Sequence, residues 1–160
     1  MKEQLLELLQ QNARLTNAEL AVMLGVTETD VTDAIRELEE GGVIKGYSAI
    51  VNEELANKNQ VTAIIELRVT PKRDCGYEEI AHTIMQYDEV ESIALMAGAY
   101  DLAVTVKGTN VKDVSMFVSQ CPAPLEGVLS TATYFVLKKY KDKGIIIEGE
   151  EKDERGYYFP

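Results

Sequence analysis

Residues 15–38 read Leu15-Thr16-Asn17-Ala18-Glu19-Leu20-Ala21-Val22-Met23-Leu24-Gly25-Val26-Thr27-Glu28-Thr29-Asp30-Val31-Thr32-Asp33-Ala34-Ile35-Arg36-Glu37-Leu38, and they decide the first half of the fold. Thr16 and Glu19 have capping-box spacing: the hydroxyl can accept from the Glu19 amide while the carboxylate reaches back to the Thr16 amide. The helix they open carries Leu20, Ala21 and Leu24, and Gly25 suits a left-handed end. Thr27 caps the next helix, whose Val31, Ala34, Ile35 and Leu38 fall at i, i+3, i+4 and i+7. Gly41-Gly42 stops it. Upstream, Leu5, Leu6, Leu8 and Leu9 give another helix an apolar face. Leu20, Leu24, Val26, Val31 and Ile35 can then share one small core. Three short helices, the last two joined by the tight Gly25-Val26 turn, make a helix-turn-helix pattern, which presents its third helix to the major groove of double-stranded DNA.

Beyond the glycines, Val43 to Val51 is β-rich and predicts a strand leading out of the helical domain. Residues 1–52 are therefore the (winged) helix-turn-helix domain with its exit strand, and the polar stretch 53–60 is the expected hinge. The period then changes. Val61–Val69 alternates as a strand that Pro71 ends, and Tyr77–Tyr87 has helical spacing of Ile80, Ile84 and Tyr87. Val90–Met96 and Tyr100–Val106 read as strands about the turn Ala97-Gly98-Ala99. Val111–Gln120 is a helix on Val111, Val114 and Val118, and Val128–Leu137 is a last strand. The order β-α-β, β-α-β predicts an α+β, ferredoxin-like domain over 61–141, one antiparallel sheet with both helices on one face. The other face keeps apolar residues that a second copy would cover. Residues 142–160 are a C-terminal extension: Gly144–Gly149 reads as an extra strand, Glu150–Glu154 as a solvated charge run. Tyr157-Tyr158-Phe159-Pro160 is an aromatic end expected to dock on a neighbouring domain or subunit.

The charge is the awkward observation. Lysine and arginine number 16 against 27 acidic residues, for a net charge of -11. DNA binders usually carry a basic footprint, because phosphate neutralisation supplies most of their non-specific affinity. Within residues 1–52 only Lys2, Arg14, Arg36 and Lys45 are basic. Glu19 and Asp30 suit helix N-termini, whereas Asp33 and Glu37 have no such local use. Thr27, Thr29, Thr32 and Arg36 are the residues expected to meet DNA.

Order and spacing together resemble the leucine-responsive regulator/AsnC (feast/famine) family of transcriptional regulators. The resemblance runs from Leu5 to about Lys141 and is carried by residues 15–21, 24–27, 38–47, 97–102 and 127–134. It implies dimers that assemble into larger, often octameric, rings, with a small effector, commonly an amino acid, held in a cleft between dimers. The family's glycine-and-aspartate turn maps onto Gly98, Tyr100 and Asp101, and its last-strand threonines onto Thr131 and Thr133. An α-ammonium group needs an acceptor such as the Asp101 carboxylate, and an α-carboxylate needs amides or hydroxyls. The alternative is that Gly98 only shapes the turn, Asp101 pairs locally and the threonines fill a strand. Relatives are frequently basic at the positions of Asp33, Ala34 and Glu37. That departure leaves a second possibility open: an effector-binding oligomer with weak or lost DNA binding that acts through a paralogue or partner.

Other chemistry is sparse. Cys75 and Cys121 lack metal-ligand spacing and read as free thiols, and His82 reads as a solvated helix residue. Met85, Met96 and Met116 are expected as core filler. Siroheme decarboxylases share the general architecture, but the expected histidine- and arginine-rich haem pocket is absent from this sequence. No enzyme, catalytic residue, cofactor or metal is expected. With neither a signal-peptide pattern nor an apolar run long enough for a membrane span, the expected location is the cytoplasm.

Overall fold

In the computed structural model, residues 1–56, 59–70 and 76–148 are described, and the chain divides into two compact units, Met1–Ala49 and Ile50–Pro160. Expectations for Cys75 and for 149–160, including the aromatic end, lie outside the described residues.

The first unit holds α1 (Lys2–Gln11), α2 (Asn17–Leu24) and α3 (Glu28–Glu40). Leu5, Leu20, Ala21, Val31, Ala34 and Leu38 are buried together, with Leu24, Val26 and Ile35 packed against them. Gly25 ends α2 at φ 67, a left-handed conformation that glycine adopts without steric penalty. The strand expected over Val43–Val51 does not form: no residue of it joins a ladder. The Val43 and Ile44 amides both donate to the Leu38 carbonyl, at 2.9 and 3.0 Å, closing the end of α3 instead. Ile44 then packs on the helical core. A β-rich sequence becomes a strand only where another edge accepts its backbone groups.

In the second unit, the expected hinge begins as a short helix, α4 (Glu53–Ala56). It is followed by β1 (Val61–Val69), α5 (Glu78–Ile84), β2 (Val90–Leu95), β3 (Leu102–Gly108), α6 (Val111–Gln120) and β4 (Val128–Phe135). The sheet order is β2-β3-β1-β4 and every neighbouring pair is antiparallel, as the βαββαβ reading requires. One face packs Ala63, Ile65, Leu67, Leu102, Val104 and Val106 against Ile80 and Ile84 of α5 and Val114, Phe117 and Val118 of α6. Helix α5 is shorter at both ends than the periodicity predicts. Tyr87 falls beyond it, where its ring meets Phe117 edge-on, with centroids 5.6 Å apart.

The other sheet face carries Ile64, Glu66 and Arg68 of β1 beside Ala132 and Tyr134 of β4 and Ala103 and Thr105 of β3. Ile64 and Tyr134 are exposed there, at 39% and 53%. Toward the end of β3, Lys107 pairs with Glu91 at 2.6 Å and Glu53 at 2.9 Å, which ties α4 to the sheet. The hydrogen bond to Glu91, with that to Glu53, raises the lysine's pKa despite partial burial. Met85, Met96 and Met116 are not core: all three are exposed. Met116 sits on α6 opposite the buried Val114–Val118 side, and Met85 and Met96 lie just past the ends of α5 and β2. Past β4, β5 (Lys141–Asp142) and β6 (Ile145–Ile146) form a separate small hairpin around Gly144, a shorter version of the extra strand expected there.

Candidate functional site

In the helical unit, α3 buries Val31, Ala34 and Leu38, so Thr29, Asp33, Arg36 and Glu40 lie on its outward side by helical spacing. The four residues expected to meet DNA differ in how free they are. The Thr27 hydroxyl accepts from the Asp30 amide at 3.2 Å and donates to the Asp30 carboxylate at 2.6 Å, completing a second capping box. Thr32 donates to the Glu28 carbonyl at 2.9 Å and accepts from the Asn17 side chain at 3.0 Å, tying α3 to α2. Thr29 is exposed and makes no side-chain hydrogen bond among the described residues. Arg36 is exposed, but its guanidinium pairs with Asp33 at 2.6 Å.

Asp33 and Glu37, which serve no helix N-terminus, both have partners. Glu37 accepts from Lys2 of α1 at 2.6 Å, and that hydrogen bond pulls its pKa down. The Asp33–Arg36 pair follows from i, i+3 spacing and was open to the sequence. The Lys2–Glu37 pair spans 35 positions and leaves no local signal. Hydrogen bonds from the cap threonines likewise hold Glu19 and Asp30 below their ordinary values.

In the second unit, Gly98 and Tyr100 lie in the connection between β2 and β3, which the Met96 amide closes by donating to the Asp101 carbonyl at 2.7 Å. Asp101 fixes the end of β1. Its amide donates to the Leu67 carbonyl at 2.9 Å, and its Oδ2 accepts from the Val69 amide at 2.9 Å. The Val69 amide faces β3 beyond the last β1–β3 pair, Leu67–Leu102, so the Asp101 carboxylate takes the place of the strand that has ended. The other Asp101 oxygen has no partner among the described residues. Thr131 pairs with Leu67 and Thr133 with Ile65, so both threonines share the face of the core strand residues, at the edge strand, half-buried. Leu102 and Thr131 thus stand level on opposite sides of β1, and the backbone of Asp101, one residue before Leu102, lies two interstrand spacings, or about 10 Å, from that of Thr131. Thr133 lies two residues farther along β4. A Cβ added at Gly98 would meet nothing within 4 Å among the described residues, and the backbone there is not left-handed, so none of those residues requires glycine at this position.

Two clefts among the described residues lie elsewhere in this unit, and none of these five residues lines them. One, of about 150 Å³, lies beside Thr70, Glu79 and Leu125; the other, of about 110 Å³, lies beside Asn52, Gln60 and Lys138. His82 is exposed on α5 and Cys121 is a buried free thiol whose pKa burial raises.

Residues 62–146, more than half of the chain, match the Lrp/AsnC ligand binding domain. The chain belongs to the Lrp/AsnC family. Residues 2–45 match a winged helix-turn-helix DNA-binding domain. An uncharacterised HTH-type transcriptional regulator of Bacillus subtilis, YugG, is 40% identical over 153 residues, covering 95% of this chain and 92% of its own. The transcriptional regulator NMB0573 of Neisseria meningitidis, solved as a complex with L-Met, is 27% identical with a TM-score of 0.70, over 88% of this chain and 90% of that one. The E. coli AsnC structure, at 22% identity and a TM-score of 0.68 over 90% of this chain and 95% of its own, shares the fold. This Lrp/AsnC chain therefore joins a helix-turn-helix DNA-binding domain to a ligand-binding domain, the arrangement of a transcriptional regulator.

Proposed function

We propose that the protein binds DNA directly through α3 and that an amino acid bound at the 97–101 connection tunes that binding. The observation that carries the effector half is the likeness to the Neisseria regulator solved with L-Met. The local chemistry agrees. Gly98 leaves open space, and Asp101 offers a carboxylate oxygen to an ammonium group while its other oxygen is anchored by Val69. The family resemblance implies an effector held between dimers, so a neighbouring subunit would complete the site, with dimers built on the open sheet face around Ile64 and Tyr134 and associating further, up to octamers.

Thermal melts against the twenty amino acids test the effector claim, since a ligand that binds only the folded state raises Tm with concentration. A responding amino acid whose effect is lost in Asp101→Asn supports the assignment. That variant keeps an acceptor for Val69 and removes only the charge. An undiminished response would refute it. The second reading, an effector-binding oligomer that acts through a paralogue, is favoured by the acids on α3. Failure of the intact oligomer to bind its own upstream DNA at low salt would select it.

A further inference from the structure

Two of the four cations in the first 52 residues are already taken by carboxylates of the reading helix. Arg36 is held by Asp33 and Lys2 by Glu37, each at 2.6 Å. All four side chains are about half exposed, and exposed ion pairs contribute little to folding stability. Holding the fold together is thus a weak reason for these acids. Their effect on the field around α3 is larger, because a cation neutralised by its own carboxylate displaces no counterion from DNA. Glu40, two turns beyond Asp33 on the same outward side, adds a carboxylate without a partner among the described residues.

We propose that Asp33 and Glu37 are affinity-limiting residues, holding Arg36 and Lys2 in ion pairs that the phosphate backbone must displace before the helical unit can engage DNA. The inference rests on the direct DNA binding proposed above. It assigns the two acids a role toward DNA: they keep a single head weak and its salt dependence shallow. Binding then depends on several heads acting together on one assembly, since linked weak sites gain through effective concentration.

The test compares full-length wild type, D33N/E37Q and E40Q on the protein's own upstream DNA and on a random duplex, from 50 to 200 mM salt. E40Q removes a carboxylate from the same face without releasing a cation. Each cation freed to meet a phosphate steepens the log–log salt slope by about 0.9, so D33N/E37Q should be steeper than E40Q by about 1.8. Over that fourfold salt range this corresponds to a further affinity gain of about 12-fold at the low-salt end. Adding R36Q to D33N should cancel that variant's gain. Binding by D33N/E37Q where wild type shows none would support the inference while refuting direct binding by the native protein. Slopes equal to that of E40Q, weaker binding of the upstream DNA in D33N, or no binding by any variant would overturn it. Wild-type binding together with unchanged slopes would leave the DNA reading standing alone.

Discussion

At the start of α3 the Thr27 hydroxyl is both donor to and acceptor from Asp30, so one of the side chains expected to meet DNA is also part of the helix cap. Removing an N-cap hydroxyl costs about 1 kcal/mol in the stability of the helix it starts. Thr29, which has no such partner, should tolerate alanine almost without loss. The Asp30 carboxyl is lowered first by the Thr27 hydroxyl and then by the Thr27 amide. A depressed carboxyl contributes stability above its ordinary value of 3.8, and that contribution disappears as pH falls through the lower folded value. Thr27→Val should therefore destabilise the helices at pH 7, with the difference from wild type narrowing in strong acid. Urea unfolding followed by helical circular dichroism at both pH values measures this; a difference independent of pH would show that the box does not hold Asp30. The same sign applies to Glu19, whose pKa is lowered by the Thr16 amide and hydroxyl.

Among elements, the β2–β3 connection carries the sharpest prediction. Gly98 neither adopts a left-handed conformation nor lies within 4 Å of anything a Cβ would strike, so Gly98→Ala should change stability by no more than a few tenths of a kcal/mol. If the glycine makes room for an effector, the same change should reduce the amino-acid-induced rise in Tm. A variant of unchanged stability and unchanged response would remove Gly98 from the site. Much of this level was legible in the sequence. Val61–Val69 and Val111–Gln120 have the predicted bounds, because an alternating run and a capped amphipathic run each declare their own period. The exit strand was not legible. Val43–Val51 has strand-like residues, but whether an edge stands ready to pair with it depends on chain far away. The three methionines fail for a related reason: hydrophobicity alone does not say which side of α6 or which strand end faces the core.

For the whole molecule, what the sequence left out is contact at long range. The helix-turn-helix pattern and the split βαβ order were readable from caps and periods, yet Lys2–Glu37, Asn17–Thr32 and Val69–Asp101 join positions from 15 to 35 residues apart. The last of these shows Asp101 serving the fold, with one oxygen left over for the proposed site, so local pairing and effector binding do not exclude each other. The open sheet face, with Ile64 and Tyr134 exposed, argues for self-association. Placing a charge there by Tyr134→Asp should shift the protein toward monomer in sedimentation equilibrium, and an unaltered mass would move the interface elsewhere. The central claim is that an acidic Lrp/AsnC chain still reads DNA through α3. It is tested most directly by titrating the intact oligomer onto its own upstream DNA across a salt series. The account predicts retention that exceeds that of a random duplex and weakens with salt along a shallow negative log–log slope. No retention at 50 mM salt, with the oligomer intact, would contradict it.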